Sequence, residues 1–115
     1  MPERIQRSRA RGWRMPENTT AVTRPGAYGN RFRVVHDVAG WWCMIDRQSG
    51  LLFPSERGAR RQATLMFREE WAHGHEAQLA ALRGRNVACF CRPPPDGVPD
   101  LEWCHGGVLL EIANA

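Results

Sequence analysis

The sequence predicts a small single domain of the α/β or α+β class, with one mixed sheet that contains an antiparallel meander and with two to three helices. Its 115 residues suffice for one domain and are too few for two, and 43% of them are hydrophobic, which is enough for a core. Short β-branched or aromatic segments alternate with segments of helical spacing. The resulting order of strand, meander, helices, strand and helix is typical of these classes.

Short strands occupy the first half of the chain. Residues 19–23 are mostly β-branched and end just before Pro25, which predicts a strand that runs into a loop. Glycine-containing gaps of about four residues, which suit hairpins, then separate three apolar-rich segments, residues 32–36, 41–46 and 51–53. These segments predict the antiparallel meander.

Two helices follow the meander. Ser55 is a favourable N-cap residue, and after it apolar residues recur at helical spacing, at Ala59, Ala63, Met66, Phe67 and Trp71. Gly74 is expected to end this helix. A second helix is predicted over residues 75–82, with Gly84 as its C-terminal cap.

The last third of the chain contains a predicted strand and a final helix. Residues 87–91 are predicted to form a buried strand, which we expect to be central in the sheet with residues 19–23 beside it. A proline-rich loop, residues 92–99, leads to a helix that begins at Asp100 or just after Cys104.

Positive charge is concentrated at the start of the chain. All 16 basic residues are arginines, against 12 acidic residues, and the net charge is +4. Five arginines lie among the first 14 residues, so we expect residues 1–15, approximately, to form a solvated basic arm that makes at most weak contact with nucleic acid. The guanidinium group also suits phosphate, although arginine-favouring codon usage explains the same composition.

The sequence predicts a cytoplasmic protein without membrane contact. The longest apolar-or-glycine run, residues 38–45, is far shorter than the roughly 20 residues of a membrane span, and the first 14 residues lack the pattern of a signal peptide. Thiols stay reduced in the cytoplasm. Disulfides are therefore not expected among the cysteines, which are Cys43, Cys89, Cys91 and Cys104.

Three of these cysteines and a histidine form a candidate zinc site. Cys89, Cys91, Cys104 and His105 would supply a Cys₃His set, which zinc commonly uses. The spacing argues against it, because two strand residues span about 6.6 Å, whereas sulfurs that share a zinc ion lie under roughly 4 Å apart. Chelation therefore requires the strand to bend. The alternative is a pair of small cysteines in a core strand.

Cys104 and His105 are also candidate catalytic residues. A helix N-terminus carries a partial positive charge that lowers the pKa of a thiol, and His105 is a titratable neighbour. We expect the Cys104 thiol to be partly accessible if it is functional. The alternative is a structural cap that fixes the loop to the helix.

A second candidate site is the loop after the first strand. Open α/β sheets bind ligands beside the carboxyl ends of their strands, and Arg24 and Asn30, with Gly29 between them, suit a phosphate. Gly106 and Gly107 together cost about 2 kcal/mol inside a helix, so we expect them in its first turn, where a ligand approaches the backbone. The alternative is a tight turn with a solvated arginine.

Motifs at the two ends of the chain resemble a known family. They are Arg4-Ile5-Gln6-Arg7, Gly12-Trp13-Arg14-Met15-Pro16-Glu17-Asn18-Thr19, Arg24-Pro25, Gly29-Asn30, Leu82-Arg83-Gly84, Ala88-Cys89-Phe90-Cys91, Cys104-His105 and the segment from Val108 to Asn114. Their order is similar to that of the domain of unknown function 4326 of bacteria and their phages. That family usually has tryptophan where this chain has Phe90 and aspartate where it has Gly107. The resemblance implies no activity.

Three functions remain open from the sequence. The first is a small enzyme or ligand-binding domain for a nucleotide or related phosphorylated compound, with one cleft formed by Arg24, Asn30, Cys91, Cys104 and His105. The second is a zinc-stabilised module that binds nucleic acid, and the third is a protein–protein adaptor. The first is favoured, because packing alone seldom requires Arg, Asn, Cys and His in loops.

Overall fold

The chain forms two three-stranded sheets and three α-helices in the computed structural model, which describes residues 2–115. The elements are β1 (Arg4–Gln6), β2 (Thr19–Ala21), β3 (Arg33–Asp37), β4 (Gly40–Met44), β5 (Gly50–Phe53), α1 (Glu56–Trp71), α2 (Glu76–Leu82), β6 (Asn86–Cys89), a 3₁₀ turn (Asp100–Glu102) and α3 (His105–Ala113). The predicted α/β class is confirmed.

The first sheet is parallel and has β6 at its centre. Its strand order is β1–β6–β2. Ile5 and Thr20 flank the strand on opposite sides, paired with Ala88 and Val87 respectively. Val87 and Ala88 are fully buried, as a central parallel strand requires. The prediction that the strand after the helices is central and lies beside β2 is confirmed. However, β6 ends at Cys89 rather than at residue 91.

The start of the chain differs from the predicted solvated arm. Residues Arg4–Gln6 form an edge strand, and the backbone N–H of Arg7 donates to the carbonyl of Cys89 at 2.7 Å. The Arg4 side chain is only 5% exposed, and its Nε donates to both carboxylate oxygens of Asp100 at 2.9 and 2.8 Å. A buried arginine is tolerated here because a carboxylate neutralises it.

The second sheet is the predicted meander, with strand order β3–β4–β5. It is separate from the parallel sheet, so the expected single mixed sheet is divided in two. Helix α1 joins the two parts, since it packs against all three meander strands and against α3. The hydroxyl of Ser55 caps α1 by accepting from the N–H of Gly58, and the helix buries Ala59, Ala63, Phe67 and Trp71, as predicted.

Helix α3 covers the parallel sheet. It begins at His105, directly after Cys104, and Gly106 and Gly107 lie in its first turn as predicted. Its buried residues join the larger of two core clusters, which also contains Val22, Phe67, Leu82 and Val87. Within residues 2–115, none of the helices is both long enough and apolar enough to cross a bilayer.

Candidate functional site

The three late cysteines meet at the carboxyl end of β6. The strand ends at Cys89 and the chain bends at Phe90, so Cys91 is no longer two extended residues away. The sulfurs of Cys89, Cys91 and Cys104 all lie within 4.8 Å of one another, and those of Cys89 and Cys104 are 3.2 Å apart. The strand thus bends, as chelation by this spacing requires, and the three cysteines could hold a metal ion.

Cys104 is the N-cap residue of α3. Its sulfur accepts from the backbone N–H of Gly106 at 3.4 Å. The residue is 2% exposed, whereas Cys91 is half-buried. The expected partial accessibility of Cys104 is thus not found, and the accessible thiol of the cluster belongs to Cys91.

The three thiols differ in pKa. Hydrogen bonds from Cys104 and then Cys89 lower the pKa of Cys91, and the guanidinium of Arg60 acts in the same direction. The pKa of Cys104 is raised, because its thiol is tied to Cys89 and Cys91 and is buried. These directions favour a negative charge on Cys91 over one on its two neighbours.

His105 is held by the backbone of the neighbouring strand. Its Nε2 lies 2.6 Å from the carbonyl oxygen of Val22, which can only accept, so we assign the proton to Nε2. Nδ1 is then an acceptor, 3.9 Å from the sulfur of Cys104. Burial lowers the pKa of His105, which favours the neutral ring. His105 does not belong to the group of mutually close ligand atoms formed by the cysteines.

A hydrogen bond between Arg24 and Asn30 joins the two ends of the predicted loop. The Nη1 of Arg24 donates to the carbonyl of Asn30 at 2.8 Å. The Asn30 side chain is 5% exposed and is fully engaged, since its Nδ2 donates to Ala63 and its Oδ1 accepts from Phe32. Asn30 therefore fixes the loop. Burial, and after it the charge of Arg33, lowers the pKa of Arg24.

One cavity of about 210 Å³ unites these parts. Its lining includes all five residues predicted to share a cleft, which are Arg24, Asn30, Cys91, Cys104 and His105. It also includes residues that the sequence did not suggest, among them Phe32, Arg60, Thr64, Phe90 and Trp103. The cavity lies between the loops that follow β2 and β6 and the start of α3.

Arg60 is the most consequential residue that the sequence analysis missed. Its Nε donates to Glu56 at 2.9 Å, its Nη1 donates to the carbonyl of Trp103 at 3.2 Å, and its guanidinium lies 4.3 Å from the centre of the Trp103 ring. A Glu–Arg pair four residues apart on a helix is normally a solvated surface pair. No local signal showed that this one faces a cavity.

The predicted ligand-binding glycines do not line the cavity. A Cβ at Gly29 would lie 2.8 Å from the Cα of Arg24, one at Gly106 would lie 2.9 Å from the Cδ of Arg4, and one at Gly107 would lie 2.7 Å from the backbone of Asp100. Such distances exclude a Cβ without a shift. These glycines allow close packing of the chain against itself.

Comparison with known proteins gives a family and no activity. Among curated proteins and among solved structures, no match to this chain was found. The family model described as Domain of unknown function (DUF4326) matches residues 5–115. This match includes both the strand β6 with its cysteines and the loop of Arg24, and it spans nearly the whole chain. The chain therefore belongs to the DUF4326 family.

Proposed function

We propose that the cavity binds a small phosphorylated ligand, a nucleotide or a related compound, beside a reactive thiol group. The observation that carries this proposal is that Arg24 lines the cavity without a carboxylate partner among residues 2–115. A guanidinium group has five N–H donors, and the one hydrogen bond found for Arg24 uses Nη1. The remaining donors suit an anionic oxygen.

The size of the cavity limits what it can hold. Its volume of about 210 Å³ is below the roughly 300–1,000 Å³ of pockets that enclose drug-sized ligands. A phosphate group with its sugar fits, and the base of a nucleotide would then lie at the mouth. Phe90 also lines the cavity, and the guanidinium of Arg9 lies 4.0 Å from the centre of its ring. An aromatic ring in the lining suits stacking of a base.

Calorimetric titration with inorganic phosphate and with ribonucleoside monophosphates tests this proposal. We expect the monophosphates to bind more tightly than phosphate, and Arg24→Gln to weaken both about 10- to 100-fold, since a charge-assisted hydrogen bond contributes about 1.5–3 kcal/mol. The control is Arg57→Gln, because Arg57 is an exposed arginine of α1 that does not line the cavity. Equal binding by the two variants would contradict the proposal.

A second candidate function is a zinc-stabilised module that binds nucleic acid. It is favoured by the cysteine cluster and by Arg7 and Arg9, whose guanidinium groups lie 4.8 and 4.0 Å from the centre of the Phe90 ring. Zinc would have a structural role in this case. Binding of a DNA oligonucleotide at low and high salt tests it, because contact through a few arginines must weaken steeply with salt. Undetectable binding at low salt would exclude it.

A further inference from the structure

We propose that Cys89, Cys91 and Cys104 hold a zinc ion whose fourth coordination position opens into the cavity, so that the metal binds the ligand directly. The inference rests on the proposed ligand site and deepens it. It differs from a closed structural site, in which the protein supplies all four ligands.

The donor set fits zinc. Thiolate sulfurs that share a zinc ion at about 2.3 Å lie about 3.8 Å apart in a tetrahedral centre. The three sulfurs lie within 4.8 Å of one another, and those of Cys89 and Cys104 are 3.2 Å apart. Small rotations of the side chains suffice to reach the required geometry. Soft thiolates in a tetrahedral set favour zinc over magnesium or calcium.

Two of the three sulfurs already accept from an N–H group. The Nη1 of Arg4 donates to the sulfur of Cys89 at 3.4 Å, and the backbone of Gly106 donates to that of Cys104 at 3.4 Å. Arg60 lines the same cavity as Cys91. Three thiolates around Zn²⁺ carry an excess negative charge, and N–H donors and guanidinium groups offset it. Such outer contacts orient the ligands of a metal site.

The fourth position is left for a ligand from the cavity. Among residues 2–115, no histidine or carboxylate joins the three sulfurs in this group. His105 is the nearest candidate in sequence, but its acceptor nitrogen Nδ1, 3.9 Å from the sulfur of Cys104, does not lie within 4.8 Å of all three sulfurs. Cys91 and Cys104 line the cavity, whereas Cys89 lies behind them and does not. Three protein ligands with an open position are the arrangement of catalytic rather than structural zinc sites.

Metal content and cobalt spectroscopy of the full chain test the inference. Native mass spectrometry should find about one zinc ion per chain. In the cobalt(II)-substituted protein we expect the visible bands of a tetrahedral thiolate site, and we expect azide and inorganic phosphate to shift them. A spectrum that neither anion alters would show a closed site and overturn the inference, as would the absence of metal uptake.

Three variants make the test specific. Cys91→Ala should weaken zinc binding by more than about a hundredfold, because loss of even an outer contact costs 10- to 100-fold. Cys43→Ala, which changes a buried cysteine of the other core cluster, should leave zinc binding unchanged. His105→Gln should retain the cobalt spectrum. A changed spectrum would make His105 the fourth ligand and refute the open position.

The outcome separates this inference from the proposed function. Phosphate that binds the metal-free protein, together with failure to take up zinc or cobalt, would refute the metal and leave the anion site standing. Azide that shifts the cobalt bands, together with no calorimetric binding of phosphate or nucleoside monophosphates, would support the open metal and refute the phosphorylated ligand.

Discussion

The two sheets of this domain differ in how their strands are brought together. The meander joins strands that are neighbours in the chain, through β3, β4 and β5. The parallel sheet places β6 between β1 and β2, so its central strand pairs with segments more than sixty residues away. The candidate site lies at the carboxyl edge of the parallel sheet, and the meander contributes only Val34 to the cavity lining. The residues of the candidate site therefore come together where segments that are distant in the chain pair.

The largest expected difference between the two regions is in thiol reactivity. In the metal-free protein, iodoacetamide should label Cys91 at least about a thousandfold faster than Cys43, because Cys43 is fully buried and burial raises its pKa. The lowered pKa of Cys91 keeps it a thiolate as the pH falls, so its labelling rate should be nearly constant between about pH 9 and 7. The labelling rate of an ordinary thiol, with a pKa of about 8.5, falls roughly 25-fold across that range. Mass spectrometry of the peptides measures both rates.

Two outcomes would count against this assignment. Labelling of Cys104 in place of Cys91 would show that the buried N-cap residue becomes accessible. A Cys91 rate that falls roughly 25-fold between about pH 9 and 7 would show an ordinary thiol. Cys91→Ser provides the matched control, since it should lose the rapid phase and leave the slow labelling of the other cysteines unchanged.

A charge placed in the centre of the parallel sheet should be the most destabilising substitution. Val87→Asp buries an uncompensated carboxylate in β6, where Val87 is fully buried, and should cost more than about 4 kcal/mol or prevent folding. Val38→Asp, in the fully exposed turn of the meander, should change stability by less than about 0.5 kcal/mol. Urea unfolding followed by circular dichroism measures the stability of both variants. Similar losses of stability would show that the two regions tolerate a charge equally well.

The ion pair of β1 should contribute more than an ion pair on the surface. Asp100→Ala leaves the guanidinium of Arg4 buried without its carboxylate, and we expect a loss of about 2–4 kcal/mol, since breaking a fully buried pair costs 3–5 kcal/mol and Asp100 is 32% exposed. Glu111→Ala removes the exposed partner of Arg68 and should cost less than about 1 kcal/mol. Equal losses would mean that β1 is not anchored through Arg4.

The smallest effect is expected at the cap of α1, beside the meander. Ser55→Ala removes the hydroxyl that accepts from the N–H of Gly58 at 3.1 Å, and should cost about 1 kcal/mol. The same urea transitions measure it. Ser49→Ala is the matched serine in the turn before β5, and it should change stability by less than about 0.5 kcal/mol. If Ser55→Ala lowers the free energy of unfolding no more than Ser49→Ala, the Ser55 cap does not stabilise α1.

The same contrast explains what the sequence could predict. The meander, α1 with its Ser55 cap and the start of α3 follow from local spacing and turn residues. Strand β1 does not, because Arg4–Gln6 holds one apolar residue and gains its stability from β6 and Asp100, far along the chain. Five cavity residues were predicted because each lies at the end of a predicted strand, in the loop that follows one or at the start of a predicted helix.

Other parts of the site were hidden from the sequence for physical reasons. The bend at Phe90 decides whether Cys89 and Cys91 can reach one atom, and bends of this kind depend on tertiary contacts rather than on the residue itself. Arg60 resembled a solvated helix arginine because its distant partner, the carbonyl of Trp103, is an ordinary backbone group. The three predicted ligand-binding glycines allow close packing, which gives the same sequence signature as approach of a ligand.

The position of β6 between β1 and β2 has a consequence for how the chain folds during synthesis. Neither outer strand has a partner until residues 86–89 have left the ribosome, whereas the meander and α1 are complete by residue 71 and pack against each other through segments that are near in the chain. We therefore expect the middle of the chain to fold first. Until β6 pairs with them, the segments of β1 and β2 stay exposed, as do the thiols that later form the cluster. In that interval the nascent chain is most open to chaperones and to loss by aggregation.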